Sequence, residues 1–397
     1  MTAARSRWSI VAAYALAASA TMVMQLAYAP ITTVAAQRYG VSVGAVGWLA
    51  QISSLLYVVL ALPTGIALDR WFRSSLGAGV VLTAIGGALR LVSDDFTWAF
   101  IGQFVSAAAQ PLILNGVAKL AGTYLDEKDR PLGIALGTAA LYAGQLLAIA
   151  LGTVFSTIDQ IPLLILIGTV YGIVAALVLL FCLRRPGDYR DTGPPPVGLA
   201  SLREVWADGF LRTIAAMMFI AVGTVMAYMT WLEALLTPAK VAPEASGLML
   251  IAMIVAGIAG SVFIPAWVAR RRKEYTLMLV SVTAAVIGCL VLSFAPGVAT
   301  GLVVMTVLGT LQLSTLPIVL EMVERRSRRN AGTAAALVWM AGNAGAVVIC
   351  VAVQLLVEQP AIAFLVLAGA SLLTVPLILS LRRQSRAPGF EEQALAS

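Results

Sequence analysis

Ala61-Leu-Pro-Thr-Gly-Ile-Ala-Leu-Asp-Arg-Trp-Phe-Arg-Ser-Ser75 is the stretch whose reading decides the fold. It joins two long apolar segments and puts one carboxylate, Asp69, and two guanidinium groups, Arg70 and Arg73, into a very short turn. A helix needs about 20 apolar residues to cross the hydrocarbon core of a bilayer, and both flanking segments reach that length. The same alternation of apolar run and short charged turn continues through the chain. Of its 397 residues, 60% are hydrophobic and only 11% charged. No soluble domain of this size hides so many apolar side chains, so the class is an all-α, polytopic membrane protein.

Twelve spans are predicted, near 9–36, 44–67, 75–93, 97–122, 132–155, 161–183, 210–237, 244–268, 276–295, 299–322, 332–356 and 361–382. The net charge of +7 raises the possibility of nucleic acid, but its placement argues against such a partner. One set of loops carries Arg5, Arg7, Arg70, Arg73, Lys128, Arg130, Arg184, Arg185, Arg190, Arg203, Arg212, the run Arg270–Lys273, Arg325, Arg326, Arg328, Arg329, Arg382, Arg383 and Arg386. The other set has only Arg38, Arg90 and Lys240. Positive charge collects on the cytoplasmic side of membrane proteins, so both termini are expected in the cytoplasm, in a plasma or inner membrane. The first span lacks a small-residue cleavage site before it and reads as uncleaved helix. Histidine is absent, which removes imidazole proton relays and most metal sites. Cys182, Cys289 and Cys350 fall inside apolar spans with no ligand or disulfide spacing. No cofactor and no metal are expected.

The longest hydrophilic segment, Arg184 to Asp208, contains Gly193-Pro-Pro-Pro196 and then Ser201-Leu-Arg-Glu-Val-Trp206. The first part reads as a stiff linker and the second as a short amphipathic helix on the inner membrane surface. The expected organisation is therefore a six-helix bundle over 1–183, a cytoplasmic linker over 184–209, a second six-helix bundle over 210–382 and a cytoplasmic tail over 383–397. The halves are weak repeats. Pro265-x-x-x-Ala269-Arg270 stands in the second half where Gly65-x-x-x-Asp69-Arg70 stands in the first, with the carboxylate lost.

The pattern Gly65-x-x-x-Asp69-Arg70-x-x-Arg73 resembles the loop between helices 2 and 3 of the major facilitator superfamily, with Phe72 where that family usually has Gly. The resemblance implies twelve helices in two six-helix pseudo-repeats with substrate between them. It also implies that Asp69 meets the start of the eleventh span, near Ala331-Gly332-Thr333, when the protein faces outward. The free N–H groups of a helix start favour a carboxylate. Arg70 and Arg73 would tie to acids on neighbouring ends, Glu324 being a candidate. Such pairs form in one conformer and break in the other. The plainer alternative is an interfacial ion pair. Gly65, Asp69, Arg70, Arg73 and Glu324 are the gating candidates.

Polar groups at bilayer depth are costly unless paired or facing a cavity. Gln25 and Tyr28, three apart on one helix face and just before Pro30, are either a hydrogen-bonding cavity wall or packing contacts. Gln110 and Gln145 are amides in the fourth and fifth spans. Tyr228 and Trp231 share a face, and with Glu233 nearby they could hold a cation through ring quadrupoles and charge. Glu233 is the one plausible proton-coupling carboxylate, its alternative reading being a solvated vestibule acid. Trp339 and Asn343, four apart, share a face beside Gly342 and Gly345. Glu321, within a turn of the basic run 325–329, reads as an end-of-helix salt bridge.

Gln110-Pro-x-x-x-Asn115-x-x-x-Lys119-x-Ala121, Gln145, Pro317-x-x-x-Glu321-x-x-Glu324 and the stretch ending in Asn343 are similar to one branch, the feline leukaemia virus subgroup C receptor family. Its members are described as choline, ethanolamine or haem transporters. In that family amides on helices 5 and 11 and a helix 1 Trp face the ligand; Gln145 and Asn343 fall at the first two positions, and Gln25-Leu26 stands at the third. The expected function is a monomeric transporter, not an enzyme. It would move a small organic solute, such as a cationic or amine metabolite, by alternating access. The alternative is a proton-coupled multidrug or metabolite exporter. The fourth span lacks the Arg, and the fifth the Gly-Pro pattern, that drug–proton antiporters usually carry.

Overall fold

The computed structural model describes residues 6–187, 189, 199–271, 273–327 and 331–385, apart from the side chains of residues 199–202, 266, 269 and 331. The expectations placed on Arg5, on Arg190 and the Pro-rich part of the linker, on Arg272, Arg328 and Arg329 and on most of the tail lie outside the described residues. Every regular element described is helical. Among the described residues, eleven helices are long and apolar enough to span a membrane.

That number differs from the predicted twelve for a local reason. The second and third predicted spans run together as α3, Val43–Leu89, whose 47 residues bend at Trp71 (φ −135°, ψ 54°). A straight helix of that length would reach about 70 Å, roughly twice the hydrocarbon thickness. The bend falls within the Asp69–Ser75 turn, and Ser75 Oγ donates to the Ala67 carbonyl across it at 2.9 Å.

Contacts divide the chain into two compact units, Met1–Tyr28 with Val34–Pro196, and Ala29–Thr33 with Val197–Ser397. The first unit holds α1 (Trp8–Leu26), α3, α4 (Phe96–Leu114), α5 (Val117–Tyr124), α6 (Arg130–Val154) and α7 (Ile161–Leu183). Its core gathers Tyr14, Leu76, Ile113 and Leu179, among others, and Tyr14 Oη donates to the Ile113 carbonyl at 2.8 Å. α3 and α4 pack backbone to backbone where Gly86 faces Gly102: a methyl on either would run into the other's carbonyl oxygen. Small residues allow such approach, and membrane helices gain their packing energy from it.

The second unit holds α8 (Leu199–Ala207), α9 (Gly209–Leu236), α10 (Pro243–Arg271), α11 (Glu274–Phe294), α12 (Val298–Leu308), α13 (Ser314–Arg326), α14 (Ala331–Gln354), α15 (Pro360–Leu372) and α16 (Thr374–Gln384). Asp208 caps α9 by accepting from the Phe210 backbone N–H at 2.7 Å. Its second oxygen accepts from Arg326 Nε at 2.8 Å, which ties the start of α9 to the end of α13.

Four predicted spans are discontinuous, the twelfth at Leu373 between α15 and α16. The first breaks after Leu26, passes through a tight 3-10 turn at Ala29–Ile31, and resumes as α2, Thr32–Tyr39. Pro30 lies in that turn and lacks the N–H a continuous helix would need. The fourth breaks at Asn115-Gly116, between α4 and α5. The tenth carries a wide turn at Gly309–Leu313 between α12 and α13, an insertion that often marks a functional segment.

Candidate functional site

In the first unit two of the predicted residues, Gln25 and Gln110, meet directly, and the others have separate partners. Gln110 Nε2 donates to Gln25 Oε1 at 2.7 Å, both side chains buried. The hydroxyls of Tyr28 and Tyr39 lie 3.1 Å apart. Their rings meet edge to face with centroids 6.3 Å apart, and Phe96 continues the cluster at 6.2 Å from Tyr39. Gln145 is half-buried, and among the described residues its amide bonds only to the Met22 thioether, 3.9 Å away. A thioether is a weak acceptor, so this amide keeps most of its bonding capacity. Tyr57 Oη donates to Asn115 Oδ1 at 2.8 Å, at the break between α4 and α5.

One further buried polar residue of this unit is one the sequence reading placed in an outer loop. Arg90 follows α3 directly and is 5% exposed. Its Nη2 donates to Gln103 Oε1 and to the Met24 carbonyl, the latter at 3.2 Å. Its Nε has no hydrogen-bond partner, and no carboxylate pairs with it among the described residues. Burying a charge without an ion partner is costly unless it is hydrogen-bonded. Hydrogen bonds from a charged donor are worth about 1.5–3 kcal/mol each, and Arg90 makes two of them in place of an ion pair. The sequence did hold a signal. Arg90 lies inside the predicted span 75–93 and is followed by Leu91 and Val92, which is not how an outer loop reads.

In the second unit Tyr228 and Trp231 are fully buried. Tyr228 Oη lies 3.0 Å from Cys289 Sγ on α11, and the Trp231 indole N–H has no partner among the described residues. Leaving such a donor unmet in the interior costs about 1–3 kcal/mol. Glu233 is 1% exposed, which corrects the reading of it as a solvated vestibule acid. It accepts from the Thr33 backbone N–H at 2.9 Å and from Thr33 Oγ1, and no cation pairs with it among the described residues. On α14, Asn343 Nδ2 turns back to the Trp339 carbonyl at 3.0 Å, and both side chains are half-buried.

The gating residues have specific partners. Asp69 pairs with Lys119 of α5 at 3.0 Å, and the same ammonium donates to the Asp69 carbonyl at 2.9 Å. Both side chains are partly solvated, so the pair is worth no more than about 1 kcal/mol. Arg70 lies over the Trp71 ring, 4.7 Å from its centroid. Arg73 donates from Nε to the Leu183 carbonyl at 2.8 Å and from Nη2 to the Arg184 carbonyl at 2.8 Å. Here the two arginines are thus engaged by an aromatic face and by the end of α7, instead of by the expected acids. Glu324 is exposed. A methyl on Gly65 would meet nothing within 4 Å, so packing does not demand glycine there. Glu321 forms the expected end-of-helix pair, with Arg325.

The model of the Major Facilitator Superfamily matches residues 11–349. The chain belongs to the Major Facilitator Superfamily. As a member of that superfamily it is an integral, multi-pass membrane transporter, and its partners are lipid and a small-molecule substrate. It is similar to the zebrafish (Danio rerio) solute carrier family 49 member A3, 26% identical over 368 residues, covering 86% of this chain and 77% of the relative. It is also similar to the human choline/ethanolamine transporter FLVCR2, 22% identical over 336 residues, covering 77% of this chain and 63% of that protein. Choline/ethanolamine transporters are thus among the relatives of this superfamily member, as the resemblance read from its motifs implies. An uncharacterised protein of Archaeoglobus fulgidus is 29% identical over 216 residues, 54% of this chain and 97% of the relative. Among solved structures, the nucleoside transporter NupG superposes with a TM-score of 0.72 at 13% identity, covering 94% of this chain and 99% of that one, a likeness of fold.

Proposed function

We propose that this superfamily member moves a small organic solute carrying an amine or quaternary ammonium group, choline and ethanolamine being the first to try. What carries the reading is the family match across residues 11–349 together with relatives named as choline/ethanolamine transporters. Its membrane topology is read as twelve spans, with the two arms of α3 about Trp71 counted separately. The basic-loop asymmetry supports placing both termini in the cytoplasm of a plasma or inner membrane. The halves are taken as 1–183 and 210–382, joined by 184–209, followed by the tail from 383, and the protein acts as a monomer.

Gln25, Tyr28, Gln110, Gln145, Tyr228, Trp231, Trp339 and Asn343 are assigned to substrate. The spare amide of Gln145 and the unmet indole N–H of Trp231 are the groups with bonding capacity left to offer. Asp69, with Arg70, Arg73, Gly65 and Glu324, is assigned to the gate. The Asp69–Lys119 pair is weak enough to exchange for the start of the eleventh span as access alternates. A thermal-shift screen of the purified protein against amines and common metabolites tests the substrate class, because a ligand that binds only the folded state raises the apparent melting temperature. Choline or ethanolamine should raise it, and Gln145→Ala should abolish the rise. A rise with nucleosides alone would replace the amine reading.

Proton coupling is the second reading. It is favoured by Glu233, a buried carboxylate held without a basic partner among the described residues. Flux that ignores an imposed pH gradient removes it.

A further inference from the structure

The break in the first span leaves two cut helix ends inside the protein, and each is met by a charge of the appropriate sign. The last turn of α1 presents carbonyls, the negative end of a helix dipole. Arg90 Nη2 reaches the Met24 carbonyl in that turn at 3.2 Å. The first turn of α2 presents N–H groups, the positive end. Glu233 accepts from the Thr33 N–H in that turn at 2.9 Å, and from the Thr33 hydroxyl. Both charged side chains are more than nine-tenths buried. Neither has an ion partner among the described residues. Gln103 takes up a second proton of Arg90, and Thr237 Oγ1 lies 3.4 Å from Glu233. For each charge the nearest compensation is a neutral side chain together with the end of a backbone helix.

We propose that Arg90 and Glu233 are positioning residues that pin the two cut ends of the first span, and so fix where the bridge between them carries Gln25 and Tyr28. This rests on the reading of Gln25 and Tyr28 as substrate residues. The pins explain why a buried guanidinium and a buried carboxylate occur without partners of their own. A continuous helix would satisfy Met24 and Thr33 internally and would have no use for either charge. They also differ from ligand-binding groups, because both spend their charge on backbone and on neutral side chains of the protein itself. Removing Arg90's charge therefore frees the end of α1 first, whereas removing Glu233's frees the start of α2 first.

Amide hydrogen exchange of the purified full-length protein in detergent, read by mass spectrometry over residues 24–39, tests this without any substrate. Arg90→Gln should raise exchange across 24–31 at least tenfold while leaving α7 unchanged. Arg90→Lys keeps the charge and should stay within threefold of the wild type. Glu233→Gln should raise exchange across 32–36. Thr33→Ala removes one donor to Glu233 but leaves both charges, and should give a two- to fivefold rise in the same peptide. If a neutral variant does not fold, Arg90→Lys and Thr33→Ala decide the matter. Arg90→Lys loosened tenfold or more across 24–31, or Thr33→Ala indistinguishable from wild type, overturns the proposal, as does wild-type exchange in folded Arg90→Gln and Glu233→Gln. The substrate reading fails separately, through Gln25→Ala with undiminished flux.

Discussion

α3 carries a charged group in the middle and another at its end, and the two are held in opposite ways. At the Asp69 turn, charge is plentiful, solvated and held by a single ion pair with Lys119. Just past the other end, Arg90 is alone, buried and held by a carbonyl and an amide. A solvated pair is worth about 0–1 kcal/mol and is screened by salt, so it can be traded for another partner at little cost. Unpairing a buried guanidinium is far more expensive. The middle of α3 suits a contact that changes during a transport cycle, and its end suits one that does not.

The largest effect expected from this contrast is at Arg90. Arg90→Met leaves the Met24 carbonyl and the Gln103 amide without their donor and should cost about 2–4 kcal/mol of stability, read by thermal or denaturant unfolding in detergent. Next comes the brace behind it. A side chain at Gly102 would strike the Gly86 carbonyl and the Arg90 stem, so Gly102→Val should cost about 1–3 kcal/mol. Removal of the solvated pair is smaller again. Asp69→Asn and Lys119→Met should each shift stability by under about 1 kcal/mol, and a double-mutant cycle should find a coupling of about 0.5 kcal/mol that fades in high salt. Equal losses at Asp69 and Arg90 would erase the contrast.

The smallest effect is at Asp95, the cap of α4. The Trp98 backbone N–H donates to it at 3.1 Å and, with Ser93, holds its carboxyl below the usual aspartate value. A carboxyl with a lowered folded-state pKa adds stability above its ordinary value of 3.8, and this is lost as pH falls through the lower, folded one. The acid limb of an unfolding titration should therefore be slightly flatter in Asp95→Asn than in the wild type.

The spans were legible because long apolar runs admit few other readings, and the Asp69 turn because three charges between such runs must face water. Pro30 was a local signal for the break in the first span, which was nonetheless predicted as one helix over 9–36. The wide turn at Gly309–Leu313 had no such herald. It forms where the Gly257 and Gly260 face of α10 comes up against the backbone of the turn, a relation between distant helices that no local pattern encodes. Arg90 was hidden for a similar reason. Its partners Met24 and Gln103 belong to α1 and α4, so its burial depends on three helices meeting. Glu233 was visible as an intramembrane acid, but its partner, a backbone N–H freed by a break 200 residues earlier, was not.

Uptake of radiolabelled choline and ethanolamine into liposomes reconstituted with the protein tests the account most directly. Saturable uptake above that of empty liposomes is expected, lowered at least tenfold by Asp69→Asn and by Gln145→Ala in protein of unchanged melting temperature. Uptake of neither amine above the empty-liposome level, or uptake indifferent to both substitutions, would contradict it.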